Sequence, residues 1–350
     1  MAWKKIPLTL ADGSVVQAQA PEIVSASRST DIPAFYADWF FDRLKAGYSA
    51  WTNPFNGVKS YIAYKNTRFI VFWSKNPHPL ISHLDELQEL GIKCYVQYSL
   101  NDYEKEGLEN GVPSLSSRID TFKELADMLG QGGVIWRFDP LVLTDKISTN
   151  DLLDKVERIG NELYGYTEKL VFSFADIAIY KKVKRNLIND HVNYNEWTEE
   201  QMLSFANELV KLNEKWHYQL ATCAERINLP GVDHNKCIDD ELIIKRGWQD
   251  SQLMKFLNVD IKLRQQDLFS KVDDIPTNAI ELDDSHYAIR KKDNKDKGQR
   301  QFCGCIISKD IGQYNTCPHL CEYCYANTSK DAALRNYKSH KDNPNKETII

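Results

Sequence analysis

"RFIVFWSKNPHPLISHLDELQELGIKCYVQYSL", residues 68–100, holds one complete unit of the fold. The apolar run at 68–73 reads as a buried strand, and "KCYVQYSL" at 93–100 reads as a second. Between them, "SHLDELQELG" at 82–91 spaces its apolar residues for a helix, opening on the N-cap candidate Ser82 and closing on Gly91. Two buried strands joined through a helix are parallel neighbours, because a tight hairpin can join only antiparallel ones. Working outward, "EIVSAS" (22–27), "GVIWRF" (133–138), "KLVFSF" (169–174) and "HYQLAT" (217–222) read as further buried strands. Helical patterns lie over 34–47, 116–130, 149–164 and 197–216. The alternation predicts an α/β fold of parallel strands. Six such units favour a (β/α) barrel or partial TIM-like barrel over an open doubly wound sheet.

The rest of the chain divides around this core. Residues 1–21 form an N-terminal extension, with Asp12-Gly13 as a hairpin turn, and 22–225 hold the β/α units. The rhythm fades over 226–300, an insertion or lid that ends in the polar linker "RKKDNKDKGQR". Residues 301–337 supply a last strand, "CGCIIS" (303–308), then a cysteine loop and a helix; 338–350 read as a disordered tail.

A net charge of −5 over 350 residues gives no global basic field, which argues against a nucleic-acid-coating surface and for a small-molecule substrate. No apolar run reaches the roughly 20 residues needed to span a bilayer, and no signal peptide opens the chain, so it reads as cytoplasmic with no membrane partner. In a reducing compartment, eight cysteines point to metal ligation rather than disulfides.

In a parallel barrel the carboxyl ends of the strands share one rim, where such folds place their chemistry. Here those ends carry Thr30 and Asp31, Lys75, Ser99 and Asn101, Arg137 and Asp139, then Cys223 and Glu225. Asp139 and Glu225 are candidate acid–base groups, with ion pairing to Arg137 and Arg28 as the alternative reading, and Arg137 is itself a catalytic candidate at the rim.

Cysteines cluster at the end of the chain. "CPHLCEYCYAN" (317–327) spaces Cys317, Cys321 and Cys324 as C-x3-C-x2-C, which can turn three sulfurs toward one centre. A zinc staple would need a fourth ligand, with Cys305 or His319 as candidates. A four-iron cluster would instead leave one iron open to a cofactor. Cys303, Cys305, Cys223 and Cys237 are candidates for a second metal or auxiliary iron–sulfur cluster. Cys223 is also a candidate hydrogen-atom donor or transient disulfide partner, and plain buried thiols are the third possibility. Cys94, inside a strand, reads as core. No H-x-H or H-E-x-x-H pattern supports a metal hydrolase. A non-catalytic zinc- or cluster-stabilised protein that binds a ligand or nucleic acid is the alternative to an enzyme.

The cysteine loop, with Tyr323 before its last cysteine and Tyr325-Ala326 after it, resembles the signature of radical S-adenosylmethionine enzymes, most closely the spore photoproduct lyase-like branch. That resemblance implies a [4Fe–4S] cluster on Cys317, Cys321 and Cys324, S-adenosylmethionine (SAM) on the open iron, and an electron donor such as ferredoxin or flavodoxin. The substrate would be a small molecule or modified base subject to hydrogen abstraction. In that superfamily the motif follows the first strand, whereas here it comes last, which implies a permuted strand order with "CGCIIS" as the displaced first strand. "STDIP" (29–33), "FWSKNP" (72–77) and "WRFDP" (136–140) resemble the branch's later strand ends. On this mapping Thr30, Asp31 and Tyr323 line the cofactor, Lys75 meets its carboxylate, Ser99 and Asn101 lie near its polar groups, and Arg137 lies across the rim. Glu109 stands in a segment that resembles the branch's Glu-Pro, but is followed by Asn110. The chain from about 22 to 327 is also similar to a bacterial family catalogued as domain of unknown function 1848.

Overall fold

The computed structural model describes residues 3–53, 56–223, 225–264, 275–300 and 302–350. Its centre is a sheet of eight strands: β1 (Ile23–Ala26), β2 (Phe69–Ser74), β3 (Lys93–Ser99), β4 (Val134–Leu141), β5 (Lys169–Phe174), β6 (Gln219–Thr222), β7 (Asp233–His234) and β8 (Lys309–Asp310). They lie in the order β7-β6-β5-β4-β3-β2-β1-β8, and every neighbouring pair is parallel. The edge strands β7 and β8 are not paired with each other among the described residues, so the fold is α/β with a large parallel sheet.

The strands are almost wholly apolar because both faces are covered. Pleating sends Ile70, Phe72, Val96, Tyr98, Trp136, Leu170 and Phe172 to a face packed by the helices, including Ala37–Lys45, Leu115–Leu129, Thr149–Leu163 and Glu199–Leu212. The alternate residues Phe69, Val71, Tyr95, Ile135 and Val171 meet a second layer drawn from residues 237–264, 275–300 and 302–306. Each such side chain, fully buried, contributes about 1.5–3 kcal/mol.

Several expectations change. The helix placed at Ser82 starts instead at Leu84, after a 3-10 turn from His78 to His83 that contains Pro79. Within 226–300, Asp233–His234 joins the central sheet as β7, and residues 237–264 and 275–300 contribute to a second layer rather than a lid. Its helices Asp240–Gly247 and Ser251–Leu257 bury Ile243, Ile244, Leu253 and Leu257 against the sheet, beside a three-stranded antiparallel sheet. "CGCIIS" is not a strand, and the strand beside β1 begins only at Lys309. The reason is local: the Ile306 amide donates to the Ile238 carbonyl at 3.1 Å, holding this stretch against the second layer before the chain enters the sheet.

The tail is ordered as well. After helix Lys330–Asp342, the Ala50 amide donates to the Glu347 carbonyl at 2.7 Å and Trp39 Nε1 to the Lys346 carbonyl at 2.8 Å, while Ile349 is buried. Residues 5–19 form an antiparallel hairpin, Lys5–Thr9 on Val15–Gln19, within a separate four-stranded sheet.

Candidate functional site

The cysteine loop leaves the sheet from β8, where one carboxylate fixes the exit. Asp310 accepts from Ser25 Oγ (3.2 Å), Ser27 Oγ (2.8 Å), the Arg28 amide (3.0 Å) and the Gly312 amide (2.9 Å). Gly312 follows because a Cβ there would fall 1.7 Å from Ser27 Oγ. Thr30 Oγ1 accepts from the Gln313 amide (2.8 Å) and pairs with Thr316 Oγ1 (2.7 Å). Asp31 then ties three elements together. Its Oδ1 accepts from the Ala34 amide (3.0 Å) and Ser74 Oγ (2.6 Å), and its Oδ2 from the Lys75 amide (2.7 Å) and His319 Nε2 (2.7 Å). Thr30 and Asp31, expected to line a cofactor, therefore spend these contacts in holding the loop.

On that loop Cys321 is buried and Cys317 and Cys324 are half-buried, all three as free thiols. Burial pushes each above the usual thiol range, and neighbouring sulfurs of the same loop raise Cys317 and Cys321 further. Opposing this, the backbone N–H groups of His319 and Asp31 face Cys317, those of Asn327 and Ala326 face Cys324, and the Lys75 ammonium lies near Cys321. Such donors stabilise thiolate and tune a cluster held by it.

A buried polar group lies beside Cys321. Lys75 Nζ donates to Glu109 Oε1 (2.6 Å) and Tyr323 Oη (2.9 Å); Asn101 Nδ2 reaches the same two atoms at 3.2 and 3.0 Å, and Tyr323 donates to Glu109. Burial alone would raise the Glu109 carboxyl, but Lys75 and Arg118 outweigh it and hold it below its ordinary value. Glu109 Oε2 and the terminal nitrogens of Arg118 have no hydrogen-bond partner among the described residues, although they approach to 3.6 Å. Ser99 is half-buried at the end of β3, opposite Arg137.

Arg137 belongs to a different neighbourhood. Its Nη1 donates to Gln97 Oε1 (3.0 Å) and Cys237 Sγ (3.3 Å), and Nη2 pairs with Asp139. Cys237 stands 3.2 Å from Cys223, and its amide donates to Cys305 Sγ at 3.2 Å. Asp139 connects the two neighbourhoods: its amide donates to Asn101 Oδ1 (2.9 Å), while its carboxylate takes Arg137 and Ser173. Burial, with Asp176, pushes Glu225 up to about 7, where its carboxylate accepts from the Phe174 amide at 3.3 Å. Cys94 is core, and burial pushes its thiol up to about 11.

Both residues considered for a fourth ligand of the loop are engaged elsewhere. Cys305 packs in the second-layer core with Cys237 and Cys303, whereas Cys321 and Cys324 pack on the helix side. His319 faces the Asp31 carboxylate and the Gly111 carbonyl (3.1 Å), which occupies both ring nitrogens. Among the described residues no three His, Cys, Asp or Glu are set around a point that could hold a single metal ion. Arg118 was missed at sequence level, although a charge in the helical phase of Phe122 and Leu125 is a readable signal.

Gly111 allows the loop to lie this close. A Cβ would meet the Pro318 and His319 carbonyl oxygens at 2.6 and 2.7 Å, both backbone atoms. Gly111→Ala is expected to destabilise the protein by about 1–3 kcal/mol, measured by thermal unfolding.

No helix among the described residues is long and apolar enough to cross a membrane. Comparison with curated proteins and with solved structures finds no match for the chain. The family described as Domain of unknown function (DUF1848) matches residues 23–326, a span that runs from β1 through the cysteine loop, and the chain belongs to that family.

Proposed function

We propose that the chain is a radical SAM enzyme in which Cys317, Cys321 and Cys324 hold a [4Fe–4S] cluster through three thiolates. The observation that carries this reading is the separation of ligands: Cys305 packs with the second-layer thiols, and His319 has both nitrogens bonded. The loop therefore offers three sulfurs and leaves one iron position to a ligand from outside. The donor chemistry fits, with soft thiols met by backbone N–H groups and a nearby ammonium. When bound, the cluster supplies the electron that cleaves SAM to a 5′-deoxyadenosyl radical capable of hydrogen abstraction.

The chain's own part is to bind and orient. Two of the three Lys75 N–H groups go to Glu109 and Tyr323, so the third is left for a carboxylate. Asn101, fully buried, fixes Tyr323 and Glu109 against that lysine. Ser99 lies at the adjacent strand end. The sheet order supports the permuted, partial-barrel reading, because β8 beside β1 is where a displaced first strand would lie. A small substrate, a ferredoxin- or flavodoxin-type donor and a cytoplasmic setting belong to the same proposal.

Anaerobically reconstituted protein should bind at least about four irons and release 5′-deoxyadenosine from SAM under reduction. A Cys317, Cys321, Cys324→Ala triple variant should lose both properties. A zinc-only protein, or an iron protein that never cleaves SAM, would overturn the proposal.

A further inference from the structure

The helix Lys181–Asn189, "KKVKRNLIN", lies against the cysteine loop. Val183 and Leu187, four apart, are buried beneath it, and other side chains tie it to the loop and its flanks. Asn186 Nδ2 donates to the Cys324 carbonyl (3.5 Å), Arg185 Nη2 to the Thr328 carbonyl (2.6 Å), and Lys182 Nζ lies 5.2 Å from the centre of the Tyr314 ring. Tyr180, the residue before the helix, meets Tyr325 with ring centres 6.1 Å apart, and Tyr325 follows Cys324 in the chain.

This surface is both charged and apolar. Lys181, Lys182, Lys184 and Arg185 form no ion pair among the described residues, and two neighbouring acids, Asp190 and Glu322, are taken by Lys330 at 3.1 and 2.7 Å. Four cations within five residues thus stand without a bonded anion, in a chain whose net charge is −5. Ile179 and Ile188 are 64% and 54% exposed, and Tyr180 and Tyr325 are exposed as well. A charge run on a helix is ordinarily a solvated face. Here it adjoins exposed aromatic and aliphatic side chains, and the same helix touches the carbonyl of a proposed cluster ligand. That combination suits a small, electrostatically steered docking surface.

We propose that helix Lys181–Asn189 and the Tyr180–Tyr325 pair dock a small acidic redox protein, which delivers one electron to the cysteine loop. The inference rests on the proposed function. The partner's flavin or iron–sulfur group is oxidised by one electron and the loop's cluster is reduced by one, with no bond or proton exchanged. The acidic character follows from the four unpaired cations. The redox character follows from position, since Tyr325 brings the surface to the residue next to Cys324.

The test uses the full chain with an acidic flavodoxin as probe, read by equilibrium binding and by 5′-deoxyadenosine formation. Wild type and the Cys317, Cys321, Cys324→Ala variant should both bind it at about 50 mM salt, and about 300 mM salt should weaken binding roughly tenfold. Lys181→Glu with Lys184→Glu, both exposed and unpaired, should weaken it about 10–100-fold and slow flavodoxin-driven cleavage of SAM, while dithionite-driven cleavage is unchanged. Lys255→Glu with Lys262→Glu makes the same charge change on the second layer and should bind as wild type does. Flavodoxin binding through this face, without any dithionite-driven cleavage of SAM, would overturn the proposed function and leave the docking face standing. No binding by wild type, undiminished binding by the Lys181, Lys184 variant, tighter binding of a single-stranded oligonucleotide to the same face, or burial of that face in a dimer of the chain would overturn the docking proposal.

Discussion

Asp31→Ala is expected to destabilise the protein by about 3–5 kcal/mol and, on the proposed function, to abolish iron binding by the cysteine loop. The carboxylate accepts from four donors on three elements: Ala34, Ser74, Lys75 and His319. Removing it strands those donors in a buried region, and each unsatisfied group carries its own desolvation penalty. The loop then loses its contact through His319, which sits between Asp31 and Gly111. Asp31→Asn keeps one carbonyl acceptor and should fall between wild type and alanine. Denaturant unfolding and iron content measure the two effects. A loss below about 1 kcal/mol in the alanine variant, or full iron content, would show that Asp31 does not organise the loop.

Lys75→Met should have a comparable effect through electrostatics. It leaves the Glu109 carboxylate, whose side chain is 1% exposed, with Arg118 at 3.6 Å as its remaining cation. Breaking a buried pair by removing one partner costs about 3–5 kcal/mol. Because the partners touch, a cycle with Glu109→Gln should return a coupling of about 1–3 kcal/mol, and simple additivity would rule out the pair as a unit. The pH dependence has a definite sign. Glu109 is held below its ordinary 4.5, so its stabilising contribution is complete above that value and is lost as pH falls through the lower, folded-state value. Glu109→Gln should therefore remove part of the acid-induced loss of stability below about pH 4.5.

Much of this architecture is legible in sequence because parallel strands buried on both faces are written as short apolar runs. "KLVFSF" is strand β5 residue for residue, and "GVIWRF" begins one residue before β4. The thiol loop is legible because its ligands are local. Other features escape for physical reasons. The Arg137–Cys237 contact joins residues 100 apart, and no spacing rule spans that distance. "CGCIIS" has the apolar composition of a strand, yet its hydrogen bonds go to residues 237–238 on a different layer. The tail has a disordered composition, but Ile349 and the Lys346 and Glu347 carbonyls dock it. Asn101 and Asp31 were readable as polar strand ends, but not as residues whose bonding capacity is taken up inside the protein.

The pairing of β8 with β1 also has a bearing on biogenesis. The Asp310 carboxylate reaches Ser25 across 285 residues of chain. Contacts of that separation form late and carry a large loop-closure penalty. During synthesis, strands β1 to β6 can emerge and pair while the first strand keeps a bare edge, since its partner is still untranslated. Cys317, Cys321 and Cys324 all arrive with that same final segment. On the proposed function, cluster loading is thus postponed until translation is nearly finished, and a chain shortened before Lys309 would present an open sheet edge to its neighbours.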